Sequence, residues 1–221
     1  MNNDFLVQCV RTNRSYLKLQ SPRDEKVLSA LARVDREDFL PKEMCHLAYQ
    51  DLPVSIGHGQ YCSEPSMVAF MDDVLELEEG IKVLEIGVGC GYHAAVTLYL
   101  IGEKGRLVAI ECIPEHVEFA GKNLRAHFKN GIEARLRIVN GDGSVGFIEE
   151  APFDRIYSTA GVNINSFNPK ILAEQLNPKR GILLFPEQNG SLFKQTYENG
   201  EMTGEEKFEG VSFVPLVGRN S

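Results

Sequence analysis

No two cysteines stand at C-x-x-C spacing, and no two histidines at i,i+4 spacing. The five cysteines, Cys9, Cys45, Cys62, Cys90 and Cys112, therefore suggest neither a disulfide framework nor a zinc site, and read as reduced packing thiols. His46, His58, His93, His116 and His127 are too scattered to set two ligands on one helix face, and no metal is expected. No apolar run is long enough to cross a bilayer, and Met1-Asn2-Asn3-Asp4 lacks the basic start of a signal peptide, so no membrane partner and a cytoplasmic location are expected. Lys/Arg clusters are also missing. With 23 Lys and Arg against 31 Asp and Glu, the formal charge is −8, which disfavours an electrostatic grip on nucleic acid. Internal repeats and low-complexity tracts are absent.

What remains is an ordinary globular composition, 43% hydrophobic and 24% charged, in 221 residues, enough for one sizeable α/β core. The chain is organised around Val83-Leu84-Glu85-Ile86-Gly87-Val88-Gly89-Cys90-Gly91, where an apolar run breaks into alternating glycines before helical spacing resumes at Tyr92 to Leu100. That pattern predicts strand, tight turn and helix, with Gly87, Gly89 and Gly91 at φ > 0 and close to a ligand. About 20 residues on, Gly105 to Glu111 predicts a second strand ending in an acid placed to accept ribose hydroxyls. The third glycine spacing of a dinucleotide turn is absent. Glu85 would repel a pyrophosphate but favour an ammonium or sulfonium group.

The rest of the chain fits alternating elements. Val7, Val10, Tyr16 and Leu17 predict one N-terminal helix and Lys26 to Arg33 a second, the latter capped by Ser21-Pro22-Arg23-Asp24. Val54 to Ser63 is rich in glycine yet too poor in charge for a linker. Ser63-Glu64-Pro65-Ser66 predicts the N-cap of an amphipathic helix through Leu75. Helices are expected over Ile113 to Leu124 and Lys170 to Leu176, and strands over Ala134 to Val139, Phe153 to Gly161 and Gly181 to Phe185. Asn140-Gly141-Asp142-Gly143 closes the third strand, where Asp142 could take an adenine amine or merely form a turn. An antiparallel hairpin is expected from Ser191 to Tyr197 and Val211 to Val217.

Glu85-x-Gly87-x-Gly89-x-Gly91 resembles the first motif of the class I methyltransferases, and Glu111 their ribose-binding acid. Three further stretches resemble the protein-L-isoaspartate O-methyltransferase family: Asp51 to Ala69, containing Ile56-Gly57-His58-Gly59-Gln60, then Gly141-Asp142-Gly143, then Phe213 to Val217. The resemblance runs from about Val34 to Val217. It implies an α/β fold, a doubly wound, mostly parallel seven-stranded sheet with a C-terminal antiparallel hairpin and an N-terminal helical lid. It also implies a single domain over 1–221, with a substrate-side segment over 1–66 and a cofactor-binding core over 67–221.

The implied cofactor is S-adenosyl-L-methionine, contacted by Glu85, Gly87, Val88, Gly89, Cys90, Gly91, Glu111, Cys112, Asp142, Gly143 and Thr159. The implied partner is a peptide or protein carboxylate, isoaspartyl first, held by Ile56, Gln60, Tyr61, Cys62, Ser66 and Val217, with Ser63 as the catalytic hydroxyl beside helix N-terminal amides. Tyr61-Cys62 replaces the family's Thr-Ile, and Thr159 to Asn168 replaces a shorter loop, both expected on the substrate side. Those departures leave room for a tailoring enzyme acting on another carboxylate of a modified peptide, and, from a different class, for a non-catalytic cofactor-binding adaptor. A carboxylate is already ionised at neutral pH and needs no general base, in keeping with the lack of an evident His/Asp pair.

Overall fold

The computed structural model describes residues 2–12, 23–129 and 131–221. Two helices open the chain, α1 (Asn3–Thr12) and α2 (Asp24–Arg33), turning Leu6, Val10, Val27 and Leu31 into the core. Tyr16, Leu17 and the expected Ser21-Pro22 cap lie outside the described residues. Short 3-10 turns over Arg36–Phe39 and Lys42–Leu47 lead into a glycine-rich hairpin, β1 (Val54–Gly57) and β2 (Gln60–Cys62). The left-handed backbone at Gly57, His58 and Gly59 (φ 91°, 52° and 72°) makes that reversal.

The helix α3 (Pro65–Val74) follows, with Pro65 in its first turn as expected, but two features differ from the sequence reading. Every residue of α3 is buried, because α1 and α2 cover it and Phe70 packs edge-on against Phe208 (centroids 5.1 Å). Ser63 is not its cap. Glu64 holds that position but its side chain makes no capping bond, and the Ser66 N–H donates instead to Asp51 Oδ1 at 2.9 Å. A carboxylate from outside the helix thus serves its positive end.

The expected alternation then runs through β3 (Lys82–Ile86), α4 (Tyr92–Leu100), β4 (Arg106–Glu111), α5 (Pro114–Phe128), β5 (Leu136–Asn140), β6 (Arg155–Ser158), the single turn α6 (Lys170–Ala173) and β7 (Arg180–Pro186). β8 (Asn189–Glu198) and β9 (Glu201–Ser212) complete one seven-stranded sheet, ordered β5-β4-β3-β6-β7-β8-β9, parallel through β7 and antiparallel beyond. Alternation along the strands serves both faces. Leu84, Ile86, Val108, Ile110, Ile156 and Leu183 pack on one side, and Val83, Leu107, Ala109, Tyr157, Ile182 and Leu184 on the other.

The C-terminal hairpin is tighter than expected. Its second arm begins directly after the Asn199-Gly200 turn and ends at Ser212, so Val211–Val217 is mostly not strand. The charges of Glu205, Glu206, Lys207 and Glu209 hide this strand from a hydrophobic reading, but they suit an edge that must not pair with another chain. The apolar run beyond it crosses the C-terminal ends of the parallel strands. There Gly161 N donates to Val214 O, and Leu216 N to Gly161 O, both at 2.7 Å.

Arg36 ties together the N-terminal stretches that lead into α3. Its side chain is fully buried, and its terminal nitrogens donate to the carbonyls of Ala48 (3.4 Å), Gln50 (3.0 Å), Leu52 (2.9 Å), Cys62 (3.3 Å) and Ser63 (3.0 Å). A planar fork of donors can reach several carbonyls at once; an ammonium cannot. Arg36→Lys should therefore cost on the order of 3 kcal/mol in urea unfolding, since bonds to a charged group contribute about 1.5–3 kcal/mol each. An unchanged midpoint and slope would show that the arginine is not the tie.

Candidate functional site

The turn between β3 and α4 has the geometry its glycines predict, with φ of 91°, 53° and 89° at Gly87, Gly89 and Gly91. The three do different work. A Cβ on Gly87 would lie 2.6 Å from Thr159 Oγ1, and that hydroxyl donates to Gly87 O at 2.5 Å, so this glycine brings the β6 loop against the turn. Gly89 lies open to the cleft beside Ile56. Gly91, expected at the ligand, packs instead against α5, where its Cβ would lie 3.0 Å from Leu124 Cδ1.

One cavity follows the strand ends, lined by Ile56, Gln60, Gly87, Gly89, Ile110, Glu111, Cys112 and Gly143 and roofed by Val214–Val217. Glu111, at the end of β4, accepts from Gly89 N at Oε2 and from Ile113 N at Oε1, both at 3.0 Å, with the Cys112 thiol 3.6 Å from Oε1, which fixes its carboxylate and leaves a lone pair on Oε2. A Cβ on Gly143 would lie 2.6 Å from Ile86 Cγ2, so only glycine fits that wall. Its neighbour Asp142 is spent elsewhere. Oδ1 accepts from Ser144 N (3.0 Å) and Ser144 Oγ (2.6 Å), and Oδ2 from Arg219 N (2.9 Å), bonds that hold its pKa down against burial. Of the two sequence readings of Asp142, this geometry favours the turn-forming one.

A second, larger cavity of about 460 Å³ is lined by Pro53, Tyr61, Ser63, Glu64, Met67, Thr159 and residues 210 and 212–214. A third, of about 30 Å³, lies between these, with Tyr61, Cys62, Ser63, Glu85, Val88, Cys90, His93 and Thr159 in its walls. Tyr61 and Thr159 border all three, and Ser63 borders the last two. Several expected substrate residues sit differently. Ile56, Gln60 and Val217 line the first cavity, while Ser66 is fully buried in α3 and lines none of them. Of the helix N-terminal amides expected to hold a substrate carboxylate, that of Ser66 is taken by Asp51. The loop after Ala160 turns away from the larger cavity: Phe167 packs on Phe185, and Asn168 N donates to Asn220 Oδ1 at 2.7 Å.

Beneath the turn lies a polar cluster that sequence spacing did not reveal. Asp72 Oδ1 stands 3.0 Å from His93 Nε2 and accepts from Thr97 Oγ1 at 3.3 Å, and Thr97 Oγ1 lies 3.1 Å from Tyr157 OH. A His/Asp pair does exist, joining two helices that no local motif links. The Asp72 carboxylate lifts the His93 pKa against the opposing effect of burial. Glu85 adjoins this cluster, fully buried, with neither carboxylate oxygen hydrogen-bonded. Burial pushes its pKa up to about 8. A cation in the adjacent cavity would satisfy it, and this orphaned acid is the feature that fits a positively charged ligand. No group of side chains suited to a metal ion occurs among the described residues.

The family model described as protein-L-isoaspartate (D-aspartate) O-methyltransferase matches residues 10–221. A protein-L-isoaspartate O-methyltransferase of Methanothrix thermoacetophila is 42% identical over 211 residues, 95% of this chain and 96% of the relative. One from Methanococcus maripaludis is 44% identical, over 94% of this chain and 92% of the relative. A solved protein-L-isoaspartate O-methyltransferase superposes with a TM-score of 0.79 at 25% identity, covering 99% of this chain and 67% of that one. A putative one from Plasmodium falciparum, in complex with S-adenosyl-L-homocysteine, gives 0.80 at 23% identity, over 98% and 99%.

The raised pKa of Glu85 has a measurable consequence. The folded chain holds a proton that the unfolded chain releases between the ordinary value of 4.5 and about 8, so this carboxyl subtracts stability as pH rises through that window. The stability of Glu85→Gln relative to the parent should rise by on the order of 1 kcal/mol per pH unit between those values and level off above. Denaturant unfolding across pH checks this; a difference independent of pH would contradict it.

Proposed function

The chain belongs to the protein-L-isoaspartate O-methyltransferase family, and on that footing we propose that it transfers a methyl group from S-adenosyl-L-methionine to the side-chain carboxylate of isoaspartyl residues in peptides and proteins. The observation that carries the assignment of sites is Ser63, which borders both the larger groove and the small cavity leading to Glu85 and the glycine turn. A group bordering both spaces can touch the acceptor where it meets the donor.

S-adenosyl-L-methionine supplies an electrophilic methyl group on a sulfonium centre. The residues proposed to hold it are Glu111 for the ribose, Gly87, Gly89 and Gly143 for close backbone approach, and Glu85 for the cationic end. Val214–Val217, hydrogen-bonded to the loop after β6, forms the roof. On the acceptor side the carboxylate arrives ionised, so the chain has no proton to remove from it. Its task is alignment. Ser63 Oγ donates to one carboxylate oxygen and leaves the other to react, and Tyr61 and Thr159 exclude water at the junction. The products are a methyl ester and S-adenosyl-L-homocysteine. The His93–Asp72 pair lies below the turn, and this chemistry gives it no proton to carry.

Glu111→Ala should weaken binding of S-adenosyl-L-homocysteine at least tenfold by calorimetry, because charge-assisted bonding to the ribose is lost. Unchanged affinity would remove Glu111 from the cofactor site. Ser63→Ala and Ser63→Asp should both lose methyl transfer while keeping cofactor affinity, with the loss larger for aspartate, whose charge repels an anionic acceptor. Matched peptides carrying isoaspartate, aspartate, or isoaspartate with an amidated C-terminus identify the acceptor. Base-labile methyl ester confined to the two isoaspartyl peptides is expected; transfer lost on amidation would instead indicate a tailoring enzyme for C-terminal carboxylates.

A further inference from the structure

Two thiols meet where the acceptor strand touches the cofactor turn, and the proposed reaction uses neither. Cys62 ends β2 and Cys90 stands between Gly89 and Gly91; both are buried and both border the 30 Å³ cavity, where each is the strongest influence on the other's titration, and the Cys62 thiol lies 3.8 Å from the Ser63 carbonyl oxygen. The carbonyl of Cys90 is pinned by Asn123 Nδ2 at 3.0 Å. Arg36 lies beside Cys62 and donates to its carbonyl at 3.3 Å, and its charge favours the Cys62 thiolate. That guanidinium is buried against carbonyls and the Tyr92 ring, and no carboxylate pairs with it among the described residues. A buried cation without an acid draws its compensating charge from the nearest group that can ionise, and here that group is a thiol.

We infer that Cys62 and Cys90 form an oxidation site, at which a hydroperoxide converts the two thiols into a disulfide joining the acceptor strand to the cofactor turn. The Cys62 thiolate attacks one peroxide oxygen, the O–O bond breaks, and the departing hydroxide takes up the proton Cys62 had released, leaving a sulfenic acid and water. The Cys90 sulfur then attacks the Cys62 sulfur. The S–O bond breaks, and hydroxide leaves with the Cys90 proton as a second water. Two thiols lose two electrons and two protons, and one hydrogen peroxide becomes two waters.

The surroundings favour this order of events. The neighbouring Cys90, together with Arg36 and against burial, draws the Cys62 thiol down to about 6, while Cys62 and burial raise Cys90. The other titratable groups that share the cavity walls are Tyr61, Glu85, Tyr92 and His93; His93 also favours the thiolate, and Glu85, protonated at neutral pH, brings no opposing charge. A cavity of about 30 Å³ has room for a molecule little larger than water, so peroxide can enter where bulkier thiol reagents cannot. The exposed Cys112 provides the contrast: burial and the Glu111 carboxylate raise its pKa.

The test exposes the reduced protein to hydrogen peroxide at pH 7 and maps each cysteine by mass spectrometry over time. The buried pair should react before exposed Cys112, giving a cross-linked 62–90 peptide about 2 Da lighter than the two thiols, reversed by dithiothreitol. In Cys90→Ser, Cys62 should stop at a sulfenic acid, read as a gain of about 16 Da on its peptide. Oxidation of Cys112 with Cys62 and Cys90 still reduced would overturn the proposal, as would oxidation of Cys62 in the parent without a cross-link. The wild-type map is decisive even where the variant fails to fold. Binding of S-adenosyl-L-homocysteine, which rests on the cofactor reading, should weaken at least tenfold in the cross-linked form; the peptide map is independent of that reading.

Discussion

A carboxyl group buried with neither oxygen hydrogen-bonded sits at the end of the central strand, and much of the site can be understood as its surroundings. Glu85 is walled by β6, α3 and α4, whose Tyr157, Asp72 and His93 bond to others in their cluster. In the ionised form it would carry a desolvation penalty that His93 and Tyr157 offset only in part, so at neutral pH it keeps its proton. A chain stabilised for folding alone would place an aliphatic residue there. The carboxyl becomes favourable only when a cation enters the adjoining cavity, which makes the unbound site a strained partner to a positively charged ligand.

Arg36 is the counterpart on the acceptor side. Its guanidinium gathers carbonyls from two stretches, 48–52 before β1 and 62–63 at the end of β2, and so positions Cys62 and Ser63 against the glycine turn. The two sides then meet across Tyr61 and Thr159. Thr159 is held by its bond to Gly87 O, whereas Tyr61 is largely exposed, so a ring that borders all three cavities of the site is free to adjust to what fills them. The C-terminal run closes the cofactor side. Asn220, buried, bonds Ser144 and Asn168, and thereby anchors the roof to both the Asp142 turn and the long loop after Thr159.

Elements whose residues encode their own environment were legible in the sequence. The parallel strands are short continuous apolar runs, and the glycine turn and Glu111 stand at a spacing that few other structures need. Where position depends on partners distant in the chain, sequence reasoning missed. Ser63 looked like a cap because a serine precedes the helix, but Asp51 reaches in from 15 residues away. Gly91 looked like a ligand glycine, yet the α5 side chains decide its role. The edge strand β9 was masked by charges that protect it, and the Asp72–His93 pair joins positions 21 residues apart on different helices. Asp142 was weighed evenly between ligand and turn, and only the C-terminal Arg219 amide tips that balance.

Proton counting at the cofactor site tests the account most directly. Calorimetric titration with S-adenosyl-L-methionine at pH 7, repeated in buffers of different ionisation enthalpy, gives the number of protons released per ligand bound. A carboxyl with a pKa near 8 that ionises beside a bound cation should release close to one proton, and Glu85→Gln should release none beyond background. Binding of the parent with no proton release would show that Glu85 is already ionised or does not meet the ligand's charge, and would contradict the central claim.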